Sequence, residues 1–109
     1  MAFNLKIKYS LVALKDLDGI VNYISEGLSN QKAAKDLFNK FKTSINDLAL
    51  FPESSQALEN EYIYKKIRKK SVGNYLILYT IDYDKNMIYI IRIIYAKMNI
   101  TEIIKKLDI

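Results

Sequence analysis

Residues 64–79 read YKKIRKKSVGNYLILY, and their reading decides the fold. Five of the chain's seventeen basic residues (Lys65, Lys66, Arg68, Lys69 and Lys70) fall within six consecutive positions. Val72-Gly73-Asn74 follows as a turn, and Tyr75 opens an almost wholly apolar strand. A cationic strand joined to a hydrophobic one by a tight turn predicts a β-hairpin with core on one face and positive charge on the other. In a strand over 62–71, Ile63 and Ile67 are expected to face the core. Tyr64, Lys66, Arg68 and Lys70 would share the opposite face.

Toward the C-terminus, residues 75–81 are apolar on both faces, as a central strand should be. Asp82, Asp84 and Asn86 resemble an oxygen-rich ligand cluster. They lack the turn glycine and the closing Glu of a calcium loop, so a hairpin turn is expected there. Residues 87–95 form a second nearly continuous apolar strand, broken by Arg92. Asn99 and Glu102 have capping-box spacing, with Asn in place of Ser or Thr. Ile100, Ile103, Ile104 and Leu107 then outline a short amphipathic helix.

Toward the N-terminus, residues 53–61 are polar and loop-like. Phe3, Leu5, Ile7 and Tyr9 alternate with Asn4, Lys6 and Lys8, which predicts a strand with one buried side. Ser10 can cap a helix striped by Leu14, Leu17, Val21, Ile24 and Leu28, with Gly27 as its stop. Asp16 and Asp18 lie near that helix start, where they favour the helix dipole. Ser29 or Asn30 can cap a second helix, striped by Ala34, Phe38, Phe41, Ile45 and Leu48 and ended by Phe51-Pro52. The short loop between the stripes predicts an antiparallel helical hairpin.

The order is therefore β-α-α-β-β-β with a short C-terminal helix. It predicts an α+β fold: a two-helix hairpin packed on one face of a small, largely antiparallel four-stranded sheet. The other face would be open and would carry Lys66 and Arg68. At 109 residues the chain is expected to be one domain, 1–109.

Composition narrows the function. Half the residues are hydrophobic and Gly plus Pro number four, so a packed domain is expected. The apolar runs are too short for a membrane span, and the N-terminus lacks a signal-peptide core. There is no Cys, which excludes thiol chemistry and disulfides. There is no His, which leaves any proton transfer to Asp, Glu, Tyr or Lys. Nothing in the chain calls for a metal or cofactor, and a cytoplasmic location is expected. Residues 1–61 hold seven basic and eight acidic residues; residues 62–109 hold ten basic and four acidic. Such asymmetry fits a polyanionic partner: nucleic acid, ribosome or an acidic protein segment. It also fits an edge strand that carries Lys to block aggregation.

Four stretches, KIKYSLVALKDLDGIVNYI at 6–24, LALFPES at 48–54, VGNYLILYTID at 72–82 and IYIIRIIYAKMN at 88–99, together resemble the RelE/ParE superfamily of toxins from bacterial type II toxin–antitoxin systems. The resemblance implies the fold above and a cognate antitoxin that holds the protein inactive. It leaves two activities open. RelE-like members are ribosome-dependent mRNA endoribonucleases. In that case Lys66, Arg68 and Lys97 would supply positive charge, and Tyr95 a proton. The resemblance also places Leu76 where ribonuclease members carry an Arg, and it finds no counterpart to their C-terminal Tyr or His. ParE-like members inhibit DNA gyrase by protein–protein contact, which needs no catalytic set. Lys65, Lys66, Arg68, Lys69 and Lys70 would then be contact surface. The FPES and IIYAKMN segments look more like this branch. A third outcome is a non-toxic member that only binds its antitoxin.

Overall fold

The computed structural model describes residues 3–54, 56–57 and 67–106. Strand β1 (Lys6–Tyr9) leads through Ser10 into helix α1 (Leu11–Asn22), which continues as a π-helical turn over Tyr23–Gly27. Helix α2 is Gln31–Leu50. Strands β2 (Gln56–Ala57), β3 (Arg68–Val72), β4 (Tyr75–Asp82) and β5 (Met87–Tyr95) follow, then helix α3 (Ile100–Lys105). The sheet order is β1-β5-β4-β3-β2, with β1 parallel to β5 and the other pairings antiparallel. Four of these strands are those expected from the sequence; the two-residue β2 extends the outer edge.

Local signals set the helix ends. The Ser10 hydroxyl accepts the Ala13 N–H at 2.9 Å, and the Asn30 side chain accepts the Ala33 N–H at 3.0 Å. Asn99 accepts the Glu102 N–H at 3.3 Å, in keeping with the capping spacing. In the β4–β5 turn, Asp82 Oδ1 accepts the Lys85 N–H at 3.0 Å and Asn86 sits at φ +55°. Asp82 thus serves the hairpin turn.

The helical hairpin covers one sheet face. Ala13, Phe41, Ile45 and Leu48 meet Val72, Ile77, Tyr79, Ile88, Ile90 and Ile93 in a continuous core. The α2 stripe is as expected at Ala34, Phe41, Ile45 and Leu48, while Phe38 is half-buried and Leu37 packs against the core instead. The α1 stripe is rotated: the buried position is Ala13, with Leu17 and Ile20 packing beside it, while Leu14 and Leu28 are exposed. Ala13 is fully buried, so α1 turns its small side chain, and not Leu14, to the sheet.

The opposite sheet face is not open, contrary to expectation. Ile67, Leu76, Leu78, Ile91 and Ile94 form a second core there, and Ile100 and Ile103 of α3 pack on it. Ile91 and Ile93 therefore belong to different cores although they are two residues apart. The reason is a bulge: Leu78 pairs with Arg92 and Tyr79 with Ile90, so Ile91 has no partner across the strand and the alternation of faces is broken.

Residues 62–66 of the expected cationic strand lie outside the described residues. From Arg68 onward the facing is the reverse of the expectation. Arg68 pairs with Tyr79, Lys70 with Ile77 and Val72 with Tyr75, all on the hairpin side, while Ile67 belongs to the α3 core. One core was assumed where two exist. A period-2 strand then takes the opposite phase over the described residues from Ile67 onward.

Candidate functional site

Among the described residues, the basic side chains of the cationic hairpin do not share one face. Lys65 and Lys66 lie outside the described residues. Arg68 is 9% exposed, and its Nη2 donates to the Glu53 carbonyl at 3.2 Å. Beside it the buried Tyr79 hydroxyl donates to the Pro52 carbonyl at 2.7 Å. These two bonds fasten the segment after α2 to the sheet. Proline supplies a carbonyl but no N–H, so its oxygen is the group a buried hydroxyl can satisfy. Lys69 and Lys70 are half-buried and point to opposite faces of β3, since their partners Leu78 and Ile77 lie in different cores.

Tyr95 ends β5 and Lys97 follows in the next turn; both are exposed. Tyr95 pairs with Tyr75, which pairs with Val72. Arg68 is four residues along β3 from Val72, about 13 Å at the usual strand rise, and two strands away. The structure therefore brings Tyr95 near Lys97 but brings neither to Arg68. Leu76, at the position where the resemblance puts an Arg in ribonucleases, is 6% exposed within the α3 core.

One polar constellation was not anticipated. Strand β1 covers β5 only from Met87 to Ile90, and beyond it that edge of β5 has no strand partner among the described residues. Side chains from α1 and its cap take that place. The Ser10 hydroxyl donates to the Ile91 carbonyl at 2.7 Å. Asp16 Oδ2 accepts the Ile93 N–H at 3.0 Å and the Arg92 Nε–H at 2.7 Å, while Oδ1 accepts from Arg92 Nη2 at 3.0 Å. Hydrogen bonding to Asp16 raises the pKa of the Arg92 guanidinium further above its ordinary value, against partial burial that opposes it. Asp16 is thus an edge cap and an ion-pair partner rather than a residue serving the helix dipole. The sequence offered one signal, a lone Arg inside an apolar strand, which requires an anion nearby.

Near the β4–β5 turn the Phe3 and Tyr83 rings pack in a tilted arrangement, 5.4 Å between centroids. Burial, then the nearby Glu53 carboxylate and its hydrogen bond, raise the Tyr83 hydroxyl pKa. Among the described residues no helix is long and apolar enough to cross a membrane.

A family model described as the ParE toxin of type II toxin–antitoxin system, parDE, matches residues 7–100. No curated protein matches the sequence. Among solved structures, the chromosomal ParDE system of P. aeruginosa superposes with a TM-score of 0.69 at 16% identity, covering 86% of this chain and 98% of that one. The archaeal RelE–RelB complex from Pyrococcus horikoshii gives 0.60 at 16% identity, over 89% of this chain and 100% of that one. The RelBE2 toxin–antitoxin complex from Mycobacterium tuberculosis gives 0.59 at 18% identity, over 87% and 95%. At these identities the structural likeness is one of fold.

Proposed function

The chain belongs to the ParE toxin family of type II toxin–antitoxin systems, within the RelE/ParE superfamily, and from that premise we propose that it inhibits DNA gyrase by direct protein–protein contact in the cytoplasm until a cognate antitoxin covers it. The observation that carries this reading is the filled sheet face. Where a ribonuclease would need cations around a phosphate, this chain has Leu76, Leu78, Ile91 and Ile94 under α3. Arg68 is turned to the other face and fastens a loop. No His is present to move a proton.

A binding activity asks less of the fold. Lys69 and Lys70, half-buried on opposite faces of β3, supply long cationic side chains, and Lys65 and Lys66 precede them in sequence. These suit the rim of an interface with an acidic partner. Arg68 would support that strand from beneath.

The direct test is supercoiling by purified gyrase with the purified chain and no ribosome present. Inhibition is expected. No inhibition at large stoichiometric excess would reject the proposal. Pulse incorporation of labelled thymidine and amino acid after induction separates the alternatives in cells. If DNA synthesis falls first, gyrase is the target. If translation falls first, the target is mRNA, with Lys66, Lys97 and Tyr95 as the residues to substitute. If neither falls, the chain is a member that binds antitoxin without toxicity.

A further inference from the structure

Between α1 and the C-terminal half of β5 lies a cleft of about 350 Å³, bounded among the described residues by Tyr23, Tyr75, Tyr95, Met98 and Ile20 around the Asp16–Arg92 pair. Its walls are aromatic or aliphatic, and several are exposed: Tyr23 is 61% and Met98 51% accessible. The rings are held in place. Tyr75 packs edge-on against Phe41 at 5.7 Å and against Tyr95 at 5.8 Å. Tyr23 opens the π-helical turn, and its ring lies over Gly27, where an added Cβ would come within 3.2 Å of it. The glycine thus leaves room for the ring, and the π-helical turn that displays it is of a kind frequent at functional sites.

Charge narrows what the cleft can take. Its charged lining is Lys15, Arg92 and Asp16. Asp16 already spends both oxygens on Arg92 and on the Ile93 N–H. The guanidinium binds through Nε and Nη2, so Nη1 keeps its donors for another acceptor, and Lys15 stands exposed beside it. The cleft therefore offers an apolar pocket with an oriented cation and a mobile cation in its lining.

We propose that this cleft is the docking site for an acidic segment of the cognate antitoxin, which seats one bulky apolar side chain among Tyr23, Tyr75, Tyr95 and Met98 and sets a carboxylate against Arg92 and Lys15. This rests on the reading of the chain as a toxin held by an antitoxin. An aromatic pocket with cations in its lining is an arrangement in which one buried anchor dominates affinity and charge sets orientation. Protein is favoured over nucleic acid because the two cations flank a single apolar pocket and do not run along an open strip.

The test uses the full chain and the protein encoded by the neighbouring gene, with affinity measured by calorimetry. Tyr23→Ala with Met98→Ala, both surface truncations, should raise Kd at least about tenfold. Lys15→Glu should weaken binding and flatten its salt dependence. Circular dichroism and melting temperature should be unchanged in both. Binding as tight as that of the unaltered chain would overturn the proposal. Variants that bind the neighbouring gene product normally but lose gyrase inhibition would also overturn it, by assigning the cleft to the target. If the unaltered chain does not bind that protein, the antitoxin premise fails and the proposal with it. The binding readout does not depend on whether the chain inhibits gyrase, so failure of the gyrase assignment alone is distinguishable.

Discussion

Asp16 on α1 and Arg92 on β5, 76 positions apart in sequence, close as a two-point ion pair at 2.7 and 3.0 Å over the edge of β5 that β1 leaves uncovered. The two side chains are 15% and 24% exposed, so water screens the pair only in part. The same carboxylate satisfies the Ile93 N–H, and the Ser10 hydroxyl satisfies the Ile91 carbonyl. An exposed strand edge that could template pairing with another chain is thereby closed by side chains.

Removing the carboxylate should be costly, because it strands a half-buried cation and a backbone donor together. Asp16→Ala is expected to lose roughly 2 kcal/mol, below the fully buried case because both groups keep some water. Urea denaturation measures it. The double variant Asp16→Ala/Arg92→Ala should recover part of that loss, and strict additivity would show that the two residues do not act as a unit.

Arg68 and its lysine neighbours should separate cleanly. Arg68→Ala removes a nearly buried side chain and its bond to Glu53, so the melting temperature should fall. Lys69→Ala with Lys70→Ala should leave the melting temperature nearly unchanged but weaken gyrase inhibition, most strongly at low salt. The opposite pattern would return Arg68 to the contact surface and remove the lysines from it.

The Tyr79 hydroxyl is the second fastening of the loop after α2. Tyr79→Phe keeps the ring in the core and leaves the Pro52 carbonyl without its donor. The expected cost is about 1 kcal/mol, read as a lower urea midpoint at constant slope. No shift in the midpoint would mean that water replaces the hydroxyl.

The β3–β4 turn needs a left-handed residue at Gly73, which sits at φ +57°. A Cβ there meets nothing within 4 Å, so any penalty is conformational and not steric crowding by neighbours. Gly73→Ala should cost about 1 kcal/mol, and Gly73→Asn distinctly less, because Asn tolerates this conformation. Equal costs in thermal melts would place the effect elsewhere.

Tyr9 packs against the hairpin core, and its burial raises the hydroxyl pKa. A pKa raised in the folded state means that the folded chain holds the proton more tightly. The associated stability is complete below the unfolded value near about 10 and is lost as pH rises through the folded value. Tyr9→Phe should therefore resist alkaline unfolding better, relative to its own stability at neutral pH, than the unaltered chain. Parallel urea midpoints at neutral pH and above about pH 10 would reveal it.

Much of the architecture was legible in short-range pattern. The α2 stripe, the caps at Ser10, Asn30 and Asn99, the glycine turn at 73 and the two apolar strands all depend on neighbours within a few residues. Local periodicity and local hydrogen bonding report those directly. The candidate site was less legible. Lys97 and Tyr95 are exposed, and the expected alignment of Arg68 with a basic sheet face depended on which side of the sheet the main core occupies.

What the sequence determined by itself was the order of elements, their ends, their apolar content and the excess of positive charge in the second half. Only the tertiary structure decided the sides. A second core under α3 reversed the facing of β3, the bulge at Ile91 divided β5 between two cores, and α1 turned Ala13 to the sheet. It also joined Asp16 to Arg92. These are contacts between elements far apart in the chain, and periodicity within one element carries no information about which of its faces another element will cover.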